Sequence, residues 1–398
     1  GSKLDPSLEK ISDRAWLDII GNNKVKDDHG HNWIQVDPGH VLESSVRQFS
    51  GSLQRIARRH PERFARLSLL FSNDVDPAYV SAILDGCTAK APDANIPENE
   101  KSSWKPASIA AIETLLNKFK VGDDRETAIS FCRLILARAA EDWSDKTLSR
   151  LTHYAKNHSD LEQGKFNVPS NQADKDVSVD TLYQNSLNCV RGVAAEAIAG
   201  LLWEHPDWLE KLRPATESLV QDKHPAVRMA AIEILLPLIN LDKNQAVEWF
   251  CLACSDDLRV AASPRAREFF NYTIKSHFDK IGSIVKKMIN SSLDDVAKEG
   301  AIEVTARWLF YGFFDQELQI CLSGTIPHRQ GIAVITSQYF HDEKYLLKCQ
   351  NLLKPLLNDP DKEVRNELYG LYHKIESLDD PQIKPFLMEY LHSQTFID

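Results

Sequence analysis

QDKHPAVRMAAIEILL, Gln221 to Leu236, is written a second time about seventy residues later as SLDDVAKEGAIEVTARW, Ser292 to Trp308. In the first copy the apolar positions are Val227, Ala230, Ala231, Ile234, Leu235 and Leu238. This spacing draws one stripe along an α-helix. The second copy places Ala297, Gly300, Ala301, Val304 and Trp308 on the same stripe. Neither copy contains a nucleophile, a metal-ligand set or a phosphate loop, so the duplication predicts a structural unit.

Two more copies follow the pattern. NSLNCVRGVAAEAIAGLL carries Val190, Val193, Ala194, Ala197, Ile198 and Leu201, and DPDKEVRNELYGLYHKI carries Val364, Leu368, Leu371, Tyr372 and Ile375. A basic residue follows each first anchor, namely Arg191, Arg228, Lys298 and Arg365. Asn185, Asp222, Ser292 and Asp359, five residues before those anchors, are of helix-capping type. The anchors Val190, Val227, Ala297 and Val364 fit a period of about thirty-five, with skipped units at SPRAREFFNYTI and PHRQGIAVITSQYF. A second amphipathic helix lies between anchors, as in PDWLEKLRPATESLV and EKYLLKCQNLLKPLL. The expected architecture is all-α, a right-handed α-solenoid in which each helix pair buries its stripe against the next.

The upstream half is helical but less regular. HVLESSVRQFSGSLQRIARRHPERFARLSLLF breaks at His60–Pro61, and helical spacing returns in PAYVSAILDGC, SIAAIETLLNKFK, RETAISFCRLILARAAE and SDKTLSRLTHYAK. No strand-like alternation is expected. The chain therefore divides into an irregular lead-in at 1–38 whose GSK start looks like a tag remainder, degenerate repeats at 39–156, a long loop at 157–184 and regular repeats at 185–398.

Bulk properties agree with a helical array. Only 16 of the 398 residues are Gly, which disfavours a turn-rich β fold. The net charge of -10 offers no global attraction for nucleic acid or anionic membrane. Seven scattered Cys and no visible signal peptide read as reduced thiols in a cytoplasmic protein, and no apolar run reaches membrane-span length.

Each candidate site has a functional and a structural reading. His29, His31 and His40 beside Asp27, Asp28 and Asp37 suggest a metal, but no paired second motif accompanies them, and a polar surface loop is the simpler reading. The Cys251/Cys254 pair lacks a partner pair and reads as helix thiols. No cofactor or metal is expected. Val41–Leu70 holds six Arg against two Glu, with Arg55, Arg58 and Arg59 on one helical face. That face suits phosphate or an acidic protein surface, or is simply solvated. Arg191, Arg228, Lys298 and Arg365 either line a binding surface or bond to acidic and carbonyl groups of the next repeat. Trp308 and Tyr311, within WLFYGFF, are interface anchors or wedges between repeats. No nucleotide-binding or hydrolase motif is present in the chain.

The acidic cap, Val-Arg and Ala pair together resemble HEAT repeats. RRHPERFARLSLLF, DPAYVSAILDG, the stretch Asn185–Phe250 and LNDPDKEVRNEL are similar to the C-terminal repeat regions of large bacterial NACHT/STAND-type NTPases of anti-phage defence. In that family the C-terminal repeats sense a target, while the NTPase and effector regions lie elsewhere in the same chain. The resemblance implies a non-enzymatic sensor that binds a macromolecular ligand, a protein of an invading phage. A nucleic-acid-binding or general protein–protein scaffold solenoid, and a metal enzyme built on the His loop, are the alternatives.

Overall fold

The computed structural model describes residues 11–21, 33–37, 40–43, 46–94, 96, 98–119, 124–161, 177–371 and 381–397. Apart from one hairpin, every regular element among them is helical. The hairpin pairs β1 (Trp33–Asp37) antiparallel to β2 (His40–Glu43), with Trp33 opposite Glu43 and Ile34 opposite Leu42. It corrects the expectation of no strand. Runs of five and four residues are too short for alternation to stand out, although Pro38 and Gly39 between them are turn-forming types. The lead-in expected to be irregular also carries α1 (Asp13–Ile20), capped by Ser12.

The chain divides into two compact units, Gly1–Gln172 with Asn185–Asp222, and Ala173–Gln184 with Lys223–Asp398. In the first unit, α2 (Val46–Arg59) is followed by α3 (Pro61–Ser68), α4 (Pro77–Cys87), α5 (Glu98–Lys101), α6 (Ile109–Lys118), α7 (Arg125–Ala137) and α8 (Asp145–Asn157). α9 (Val179–Asn188) crosses the boundary, and α10 (Val190–Glu204) and α11 (Leu209–Val220) complete the unit. Helices α2, α4, α7 and α10 pack in sequence as one row. Helices α3, α6, α8 and α11 form a second layer. Leu53, Ile56, Ile83, Leu84, Phe131 and Ile198 are fully buried in the core.

The second layer is stitched by a repeated polar device. Glu62 of α3 accepts from the backbone N–H of Ser108, the N-cap of α6, at 2.7 Å. Glu113 of α6 accepts from the N–H of Ser144, the N-cap of α8, at 2.8 Å. A carboxylate at a helix N-terminus meets orphan donors and the positive end of the dipole. Burial tends to raise both carboxyls, but these hydrogen bonds win and hold them below the usual glutamate range.

The second unit runs α12 (Pro225–Leu241), α13 (Lys243–Ala253), α14 (Pro264–Thr273), α15 (Phe278–Ile289), α16 (Asp294–Tyr311), α17 (Asp315–Leu322), α18 (Ile326–Gln338), α19 (Leu346–Leu356), α20 (Lys362–Asn366), α21 (Lys384–Leu391) and α22 (Gln394–Ile397). α12 is the helix of the opening quotation, and all six of its stripe residues are fully buried. Pro225 opens it, where a missing N–H costs nothing, and His224 Nδ1 accepts from Ala226 N–H at 3.2 Å. The two skipped units are α14 and α18, so six anchor helices recur from α10 to α20. The last is only five residues long; Tyr372 and Ile375 of its expected stripe lie outside the described residues.

α16 and α18 make close contact because Gly331 lets them. A Cβ there would lie 2.6 Å from the Lys298 carbonyl and 2.7 Å from Ala301 Cβ. Among the described residues no helix is long and apolar enough to cross a membrane.

The expected caps are corrected. The N-cap residues are Cys189, His224, Leu293 and Asp361. Asn185 lies inside α9. Asp222 and Asp359 instead bind arginines of the preceding repeat: Arg191 reaches Asp222 at 3.4 Å, and Arg329 reaches Asp359 at 2.6 Å. Acidic residues before a helix can serve either purpose, and only packing decides which.

Candidate ligand-recognition groove

A groove of about 490 Å³ lies across α2, α4 and α7 in the first unit. Its floor is made of small side chains, including Gly51, Ala78, Ser81 and Ala82, and its charged walls are Asp85, Arg125, Glu126 and Arg133. Helix approach creates it. A Cβ on Gly86 would lie 2.5 Å from Ala57 Cβ and 3.0 Å from the Ala57 carbonyl carbon, so only glycine lets α4 sit this close to α2. That closeness brings Gln54 Nε2 within 3.1 Å of Asp85 Oδ2, which accepts its hydrogen bond.

Asp85 is the chemical centre of the groove. Burial raises its carboxyl above the ordinary aspartate range, and the Ser130 hydroxyl and the Arg133 charge only partly oppose this. Arg133 is exposed and makes no hydrogen bond or ion pair among the described residues. Arg125 is held in place: its Nη2 donates to the Asn188 carbonyl at 2.7 Å, and its Nε lies 3.6 Å from Asp160, which is fully buried. Asp160 also accepts from Val190 N–H at 2.9 Å, so the groove wall is braced by the start of α10. The groove thus offers the carboxylates of Asp85 and Glu126 and the unengaged guanidinium of Arg133 beside hydroxyl groups of Ser81 and Ser130. These groups can exchange salt bridges and hydrogen bonds with a polar surface.

The residues singled out from sequence lie elsewhere. Arg55 donates to Ser52 Oγ at 3.1 Å, and Arg58 sits 3.7 Å from Asp93. Arg59 is half-buried in a second, smaller pocket with His60 and Arg63. Arg191 is buried against Asp222, and Arg228 is buried with its Nε donating to the Ala253 carbonyl at 2.9 Å. Lys298 pairs with Glu367 at 2.6 Å. Arg365 donates to the Pro360 carbonyl at 3.1 Å and to Asp359 O. Each of these four groups is engaged within its own unit. Trp308 donates to Asp315 at 2.7 Å under Lys348, and Tyr311 lies 4.8 Å beneath Lys275. The Tyr311 ring belongs to a cluster with Phe310, Phe313, Tyr339 and Tyr345.

His29 and His31 lie outside the described residues, and of His40 only its place in β2 is described. Cys254 is buried, and burial pushes its thiol well above the usual range; Cys251 is raised in the same way. Cys87 is pushed up to about 12 by burial. Thiols held protonated are poor nucleophiles and poor ligands.

Asp85 and Arg133 went unremarked in the sequence, yet a signal was present. Asp85 is the sole charged residue of α4, and Arg133 is the sole charged residue between Glu126 and Arg138 in apolar α7. A lone charge on an otherwise apolar helix must face a partner or an opening.

Compared with known proteins, the chain matches no family model, no curated protein and no solved structure.

Proposed function

We propose that this chain is a non-enzymatic recognition module, a right-handed α-solenoid of HEAT-like repeats acting as the sensor of a STAND-type anti-phage NTPase in the bacterial cytoplasm. Its ligand is a phage protein that docks on the α2/α4/α7 row. In the full-length protein, binding shifts the attached NTPase between off and on states. The observation that carries the reading is the groove itself: three successive helices contribute to one polar surface whose Arg133 is unengaged and whose Asp85 is half-buried. Recognition of a folded partner uses such preformed polar anchors on a rigid frame, with complementary charge setting specificity.

The test is binding of purified candidate phage proteins to the chain, measured by calorimetry. A cognate protein should bind, and Arg133→Glu combined with Asp85→Lys should weaken it by about tenfold or more. Binding of nucleic acid with a steep salt dependence, and of none of the proteins, would replace this reading with the nucleic-acid one.

A further inference from the structure

The α2/α4/α7 groove is selective by charge as well as by shape. We propose, resting on the recognition role given above, that it admits one basic side chain of the partner, an arginine or a lysine. The cationic head meets Asp85, and the aliphatic stem lies along Ala78, Ala82 and Ile129.

The charges of the lining favour a cation. Four charged side chains border the groove, namely Asp85, Arg125, Glu126 and Arg133. Arg125 is committed elsewhere, with its Nε 3.6 Å from the buried Asp160 and its Nη2 on the Asn188 carbonyl. Two carboxylates then share the groove with one guanidinium, and none of these three groups forms an ion pair among the described residues. An added cation evens that count.

Asp85 is the deeper of the two acids, half-buried where Glu126 is exposed. Among the described residues its carboxylate receives only neutral donors, the Gln54 amide at 3.1 Å and the Ser130 hydroxyl. Burial raises its carboxyl, with the Arg133 charge opposing only in part. A cation brought into contact favours the ionised form that burial disfavours, through a charge-assisted hydrogen bond.

The shape of the groove agrees independently. Its volume of about 490 Å³ is that of a small-ligand site. Long basic side chains lay their methylene stems on apolar surface and keep the charged head among polar groups. Ala78, Ala82 and Ile129 offer that surface beside Asp85. Arg133, exposed on the wall, is left for an acidic group of the same partner.

Calorimetric titration of the whole chain with N-acetylarginine amide, its neutral isostere N-acetylcitrulline amide, and N-acetylglutamate amide tests this. The arginine derivative should bind at about millimolar concentration and at least about tenfold more tightly than the citrulline one. Asp85→Asn, checked for unchanged melting or better, should weaken it by about tenfold, and Glu126→Gln by about threefold. Arg133→Ala removes a like charge and should tighten it by about threefold. The proposal is overturned if the arginine derivative fails to bind at about ten millimolar, if citrulline or glutamate binds as well, or if Asp85→Asn binds arginine like the parent. Its failure is distinguishable from failure of the recognition role. A phage protein that binds while the arginine derivative does not would dock without a basic anchor at Asp85. Arginine binding with no phage protein found would leave the cation site standing and remove the sensor role.

Discussion

Asp85 in the first unit and Glu303 in the second are both carboxyls that burial raises above their ordinary range. Their surroundings differ. Glu303 sits 2.6 Å from Arg307 and 4.0 Å from Arg267, and Arg307 in turn donates to Asn271 at 2.6 Å. Glu303 and Arg307 are 2% and 1% exposed, so the network is closed and serves packing alone. Asp85 has a neutral amide, a hydroxyl and a more distant guanidinium, and it borders an open groove. Two acids that burial shifts in the same direction are thus separated by whether their counter-charge is in contact. Where it is, the acid is structural; where it is not, the acid is available to a ligand.

The largest effect should come from opening the closed network. Arg307→Ala leaves Glu303 buried without its partner and should cost about 3–5 kcal/mol in urea unfolding. A loss below about 1 kcal/mol would show that the two acids do not differ as described.

Next come the glycines. Gly331→Ala and Gly86→Ala should each cost about 1–3 kcal/mol by forcing packed helices apart. They should part company in binding. Only Gly86→Ala moves Gln54 away from Asp85, so only it should weaken a ligand of the α2/α4/α7 groove.

Titration sharpens the contrast further. A carboxyl whose folded value is raised binds more protons folded than unfolded, so its burden on stability eases as pH falls through that value. Asp85→Asn should therefore be more stable than the parent at neutral pH, and the advantage should vanish in acid. Glu113 is lowered, so its contribution is present above the unfolded value and is lost as pH falls through the folded one. Glu113→Gln should be less stable at neutral pH, with a deficit that closes in acid. Urea midpoints from neutral pH to below the usual carboxylate range would check both signs. The smallest effect belongs to Arg133→Ala, within about 0.5 kcal/mol of the parent in stability while reducing affinity for a groove ligand.

Much of the fold was legible because burial of a stripe leaves a period in the chain. Val190, Val227, Ala297 and Val364 are all buried at the positions their spacing predicts, and the helix-rich first half follows its quoted segments closely. The hairpin at Trp33–Glu43 was missed because nine paired-strand residues carry too little pattern. The α2/α4/α7 groove was missed because its residues are ordinary singly. Gln54, Asp85, Ser130 and Arg133 come from three helices, and nothing in their local sequence spacing joins them.

The chain on its own therefore determined its class, its repeating unit and most helix positions, since these follow from local periodicity and helix-start chemistry. Tertiary packing alone decided what each polar residue does. Asp222 and Asp359 became partners of arginines from preceding repeats, and Asp85 was left facing an opening. A side chain's role depends on which charge lies within a few ångströms of it, and that distance is set by helix against helix, with glycines such as Gly86 and Gly331 permitting close approach.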